Sequence, residues 1–138
     1  MFAYKMLQLD YVDYAMLRQS VGWTNFSQIQ EERALARSLC MIVALDEGNK
    51  IGMARLTGDE MYMLLADVVV RPEYQGSGIG KEMVRQLLNW VQRQIPPGGK
   101  CSVQLTSEPG KELFYEKLGF CRLPAGTCGA GMWQIFRG

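Results

Sequence analysis

Ala66-Asp-Val-Val-Val-Arg-Pro-Glu-Tyr-Gln-Gly-Ser-Gly-Ile-Gly-Lys81 reads as an apolar strand that stops at a proline, a glycine-rich turn, and the start of a long helix. Gly76, Gly78 and Gly80 alternate where that helix must begin. A helix start offers unpaired backbone N–H groups and a partial positive charge. Glycines there remove the β-carbons that would hold a ligand away. The stretch predicts an anion site for phosphate or pyrophosphate, with a ligand-free strand-to-helix turn as the alternative.

Two nucleotide loops are excluded. A P-loop needs Gly-x-x-x-x-Gly-Lys-Ser/Thr, but position 75 is Gln and Gly80-Lys81 is followed by Glu82, so the magnesium-holding hydroxyl is missing. A dinucleotide fingerprint, Gly-x-Gly-x-x-Gly, fails from Gly76 because the third glycine slot is Lys81. From Gly78 it fails because position 83 is Met.

Gln75-Gly-Ser-Gly-Ile-Gly80 does fit Gln/Arg-x-x-Gly-x-Gly/Ala behind a Val-rich strand. In this it resembles the acetyl-CoA-binding motif of the GNAT N-acetyltransferase superfamily. The resemblance implies that Gln75, Gly76, Ser77, Gly78, Ile79, Gly80 and Lys81 wrap the coenzyme A pyrophosphate. It also implies that the strand Val68, Val69 and Val70 pairs with the pantetheine arm.

The chain's 138 residues are one domain's worth, enough to bury roughly two-thirds of the unfolded surface. The formal charge of +1 gives no global field for nucleic acid or membrane binding. No apolar run is long enough for a transmembrane helix, and the first ten residues lack a signal-peptide layout. A cytoplasmic location is expected. Four cysteines (40, 101, 121 and 128) form no Cys-x-x-Cys pair and there is no histidine, so no metal is expected. Cys40, Cys101 and Cys121 read as small core residues. Without histidine, Ser-His-Asp and Cys-His mechanisms are excluded, and acid–base chemistry falls to carboxylates, tyrosine, cysteine, lysine or water.

Residues 3–9 alternate as a first strand. Asp10 and Ser27 cap two helices, running to about Ser20 and Ser38, that form a flap with the loop 22–26 between them. Strands Met41–Leu45, Lys50–Leu56 and Met61–Val70 follow. The helix from Gly78 to Gln94 carries Val84, Leu87, Leu88, Val91 and Ile95 on one face. Cys101–Leu105 is a strand, and Ser107-Glu-Pro109 opens a helix running to Leu118. Phe120–Leu123 and Met132–Phe136 are expected as two last strands around a glycine-rich loop. The order β-α-α-β-β-β-α-β-α-β-β predicts one α+β domain over 1–138, a three-layer α/β/α sandwich with a mixed central sheet. The GNAT fold has this order too, so the resemblance covers nearly the whole chain.

A second match is Leu113-Phe-Tyr-Glu-Lys-Leu-Gly-Phe120, which resembles the family's Phe-Tyr-x-x-x-Gly-Phe signature. Phe114 and Leu118 face the core, while Tyr115 is rotated about 100° from Phe114. The resemblance implies that Tyr115 is the general acid toward the departing thiolate; a packed tyrosine at the sheet edge is the alternative. Asp67 interrupts an apolar strand, which is costly unless that face is polar or functional. It is read either as base or ammonium anchor, or as a structural hydrogen-bonding carboxylate. Glu60 and Glu108 are weaker candidates. The resemblance points to a backbone N–H of Val68–Val70 for the oxyanion. Ser77 can donate to a phosphate, and Lys81 and Arg71 can add charge nearby or stand as solvated surface residues. Where many relatives carry an asparagine before the Phe-Tyr signature, this chain has Glu108, and Ser107 is the substitute donor. Trp23 and Phe26, with Trp133, are read as acceptor-pocket lining or as core packing.

These readings converge on an acetyl-CoA-dependent N-acetyltransferase acting on a primary amine, most simply of a small metabolite, by direct attack. No nucleic acid or membrane partner is expected, and a homodimer is compatible with it. A protein or peptide N-acetyltransferase and a non-catalytic acyl-CoA-binding module are the alternatives.

Overall fold

The structure is a computed structural model describing residues 1–138. The chain forms two compact units, Met1–Leu105 and Thr106–Gly138.

The first unit is built on a five-stranded sheet in the order β1-β2-β3-β4-β5. The strands are β1 (Phe2–Met6), β2 (Cys40–Asp46), β3 (Asn49–Gly58), β4 (Tyr62–Val70) and β5 (Ser102–Gln104). Neighbours are antiparallel except β4 and β5. Local chemistry explains each connection. Glu47 and Gly48 both have positive φ, 48° and 83°, the two-residue geometry that matches a hairpin's twist. After β3, Asp59 accepts N–H bonds from Met61 and Tyr62 at 2.8 and 2.9 Å and closes the next turn. A parallel neighbour needs a crossover, which the helix between β4 and β5 supplies.

Helices cover both faces. Helix α1 (Tyr11–Ser20) begins at Asp10, whose carboxylate takes the N–H of Asp13 at 2.9 Å. Helix α2 (Gln28–Ala36) opens on a Ser27/Gln30 capping box. Their apolar sides meet Met41, Val43, Leu45, Met53 and Val69 in one buried cluster. Helix α3 (Ile79–Gln94) packs on β2, β3 and β4 and buries Met83, Val84 and Leu87 completely. The expected stripe holds, widened toward Ile79 and Met83.

The second unit differs from expectation in two places. Helix α4 spans only Glu112–Glu116, not Ser107 to Leu118. Gly110 sits at φ 87°, a left-handed position that a helix cannot pass through, so the helix begins after it. The two final strands are absent. Phe120–Leu123 runs into Pro124, which has no N–H to donate, and Ala125 and Cys128 close a tight turn by exchanging backbone bonds of 3.1 and 2.9 Å. Met132, Trp133 and Phe136 are almost fully exposed, so the segment gains no burial to offset the entropy of ordering a strand. The α+β class with a mixed central sheet stands, with five strands rather than seven. Cys121 is likewise exposed rather than in the core.

Candidate active site

Strand β4 does two unusual things. Met53 faces Val69 and Arg55 faces Ala66, so Ala54 alone opposes both Asp67 and Val68. This β-bulge turns Asp67 and Val69 toward the α1–α2 side, where simple alternation from Leu65 would have sent them toward α3. Asp67 takes a positive φ of 54° to make it. On its other side β4 loses its strand partner before the bulge is reached. The parallel pairing with β5 covers Tyr62, Met63 and Leu64 only, leaving the edge of Leu65–Val70 without a strand neighbour in β5.

That free edge leads into the glycine loop. A 3₁₀ turn, Pro72–Tyr74, is pinned by the Tyr74 hydroxyl donating to Asp46 at 2.9 Å. Gln75 folds back so that its amide donates to the Val70 carbonyl at 2.9 Å. Gly76 and Gly78 are left-handed, at φ 84° and 80°, with nothing within 4 Å of where a β-carbon would stand. Gly78 caps α3 without any side-chain hydrogen bond. The first N–H groups of α3 therefore lack intrahelical and side-chain partners. Ser77 and Lys81 are exposed beside them, and Ile79 anchors the turn in the core. Arg71 lies 3.1 Å from Glu73 as an ion pair.

On the α1–α2 side, Asp67 is the centre of a buried polar cluster. Its carboxylate accepts from the Tyr14 hydroxyl at 2.5 Å, Arg18 Nη1 at 2.7 Å and Arg55 Nε at 2.6 Å. Arg18 also donates to the Thr24 carbonyl at 2.8 Å and to Asn25 at 3.2 Å. Its guanidinium lies over the rings of Trp23 and Phe26, at 5.2 and 5.3 Å. Buried Glu31 stands 3.9 Å from Arg18 and takes the Phe26 N–H at 3.0 Å, while its Oε1 has no partner. Burial first, and then the charge of Asp67, push the Tyr14 phenol up to about 12. Burial works against the Arg55 cation, but its bond to Asp67 prevails and raises it.

In the second unit, Tyr115 is half-buried between the edges of Phe114 and Phe120, with ring centroids at 5.0 and 6.0 Å. The Phe120 N–H returns to the Tyr115 carbonyl after Gly119, φ 98°. Burial, followed by the charge of Glu108, raises the phenol above its ordinary value, so it stays protonated at neutral pH.

Residues 37–122 match the family described as the acetyltransferase (GNAT) domain. The chain belongs to the GNAT acetyltransferase family. It is similar to an uncharacterized N-acetyltransferase, ycf52-like, from Prochlorococcus marinus, with 36% identity over 124 residues that cover 86% of this chain and 67% of that protein. A GNAT-family acetyltransferase structure from Streptococcus pneumoniae is 32% identical and superposes with a TM-score of 0.83 over all of both chains. A probable acetyltransferase from Staphylococcus aureus, at 22% identity, superposes with a TM-score of 0.84 over 99% of this chain and all of that one, which shows the shared fold. The chain spans about two thirds of the length of that Prochlorococcus protein and of the uncharacterized N-acetyltransferase ycf52 of Pyropia yezoensis.

Within this GNAT chain, the first unit brings together Asp67, Val68–Val70 and Gln75–Lys81 along one strand and the helix it feeds. Trp23 and Phe26 reach Asp67 through Arg18, and Trp23 also packs against the buried cluster that holds Val69. Tyr115 belongs to the second unit, and Trp133 is 82% exposed rather than packed. Sequence reasoning missed Tyr14, Arg18, Glu31 and Arg55. A signal for one was present: Arg55 interrupts an apolar strand just as Asp67 does, and two opposite charges in neighbouring buried strands ask to be paired.

Proposed function

We propose that this protein transfers an acetyl group from acetyl-CoA to a primary amine of a small molecule. The observation that carries the reading is the bulged β4 edge, free of β5 beyond Leu64, running directly into an uncapped glycine-rich helix start. A linear donor with an anionic end and an amide-rich arm suits that pair of features. Pyrophosphate oxygens fit the unpartnered N–H groups after Gly78, with Ser77 and Lys81 adding a hydroxyl and a charge. The pantetheine amides fit the backbone of Leu65–Val70 as an added strand would, save the Val70 carbonyl, which already accepts from Gln75. The donor supplies an activated thioester; everything else is left to the chain.

A backbone N–H in Val68–Val70 receives the negative charge that develops on the carbonyl oxygen. The amine nitrogen bonds to the acyl carbon, the carbon–sulfur bond breaks, and the amine's proton leaves through water. Tyr115 returns a proton to the sulfur, a role its burial-raised phenol suits. Asp67 is not assigned the proton, because both its oxygens are already engaged by three donors.

The test is thiol release from acetyl-CoA across a panel of small amines, lysine peptides and free peptide N-termini. Release with small amines is expected, and Tyr115→Phe should lower kcat by about 10²-fold. Equal rates in wild type and Tyr115→Phe would remove the general acid. Coenzyme A binding without thiol release for any amine would make the protein a binding module.

A further inference from the structure

We propose that Asp67 is a positioning residue for acyl transfer. Its carboxylate, gripped by Arg18, Arg55 and Tyr14, holds the left-handed backbone of the β4 bulge and so sets the direction of the Val68–Val70 N–H groups. The inference rests on the function proposed above, in which those groups meet the thioester. Three observations carry it. Asp67 is a non-glycine residue at φ 54° in the middle of a strand, a conformation that persists only where the surroundings over-determine it. The surroundings here are three donors within 2.5–2.7 Å of a carboxylate whose side chain is 8% exposed. The donors come from two different elements, α1 and β3, so the bulge is tied to the flap helix on one side and to its own sheet partner on the other.

The clamp also closes electrostatically. Arg18 and Arg55 face Asp67 and Glu31, two charges of each sign in one buried group. Arg18 extends the clamp to the loop after α1, through the Thr24 carbonyl and the faces of Trp23 and Phe26. One guanidinium thus anchors both the bulge and the loop beside it.

Asp67→Gly keeps the left-handed backbone accessible and removes the clamp. Asp67→Asn keeps the shape and one acceptor oxygen but turns an N–H₂ toward a guanidinium. Both should lose about 10- to 100-fold in kcat, because displacing a reacting geometry by about 1 Å costs that much. KM for acetyl-CoA and the calorimetric Kd for coenzyme A should rise by a smaller factor than kcat falls, since the pyrophosphate cradle lies outside the bulge and only the pantetheine arm runs along it. The acidic limb of kcat/KM against pH should keep its midpoint. Tyr14→Phe, which removes one donor and no charge, should lose about two- to fivefold in kcat. Wild-type kcat in Asp67→Gly would overturn the clamp, and so would an acidic limb that disappears in Asp67→Asn, which would make Asp67 the base. Should the Asp67 variants not fold, unchanged kcat in Tyr14→Phe would overturn it alone. A wild type that releases no thiol overturns both this inference and the function beneath it, whereas an active wild type beside equally active variants overturns the positioning only.

Discussion

Tyr14 is a residue whose chemistry is set almost wholly by its neighbours. It is 2% exposed, and its hydroxyl donates to a carboxylate that two guanidinium groups also hold. Ionising it would place a phenolate beside Asp67 in a buried site. That is why burial, then the Asp67 charge, move the phenol up to about 12 from an ordinary value of 10.0. The folded value lies above the unfolded one, so the stabilisation is complete below about pH 10 and drains away as the pH rises through 12. Urea midpoints of wild type and Tyr14→Phe should therefore differ by a constant amount below pH 10. Above it the gap should narrow, because the phenylalanine variant has no phenol for the unfolded chain to ionise. A gap that stays constant to pH 12 would mean that the phenol ionises as easily in the fold as outside it. Nothing in the spacing of α1 announced this residue. Tyr14 reads from sequence as one of three helical core positions with Leu17 and Val21, because periodicity reports which side of a helix is buried and not which polar atom waits there.

At the scale of the element, β4 was legible as a strand and illegible as a bulge. Its apolar run and the proline at its end predicted Met61–Val70, and the structure gives Tyr62–Val70. The register slip is set by the partner strand and by the Asp67 clamp, which no local pattern encodes. Gly52 is a second case. It stands on β3 opposite Val70 of β4, and a β-carbon there would stand 2.9 Å from the Val69 carbonyl oxygen and 3.1 Å from Met83 Cε. The methionine end can move; the carbonyl cannot move without shifting β4. Gly52→Ala should destabilise by about 1–3 kcal/mol in urea titration and lower kcat, since it presses on the strand assigned to the thioester. Gly76→Ala makes a contrast, because open space surrounds its β-carbon and only the φ of 84° opposes it. Its cost should be about 1–2 kcal/mol, with KM for acetyl-CoA raised and kcat kept. If both variants changed KM alone, the division between a thioester strand and a pyrophosphate turn would fail.

On the scale of the whole molecule, the parts legible in sequence were those with a strong period or a cap. The α3 stripe, the Asp10 and Ser27 caps, the Asp46–Asn49 hairpin and the glycine loop all carry their geometry in a few adjacent residues. The last two strands failed for the opposite reason. Phe120–Leu123 and Met132–Phe136 have strand-like composition, but a strand exists only through a pairing partner, and composition does not supply one. This difference makes a prediction about where stability resides. Leu87 is fully buried under the sheet, and Leu87→Ala should cost about 2–5 kcal/mol. Trp133 and Phe136 are 82% and 84% exposed, so Trp133→Ala and Phe136→Ala should each change stability by no more than about 0.5 kcal/mol. Urea denaturation followed by circular dichroism measures all three on one scale. Were Trp133→Ala to cost as much as Leu87→Ala, the residues 132–136 would have to be buried and paired, and the sheet would have more than five strands. If it costs nothing, the large apolar side chains at the end of this chain contribute to no core, and the fold stands on the five strands and the helices that cover them.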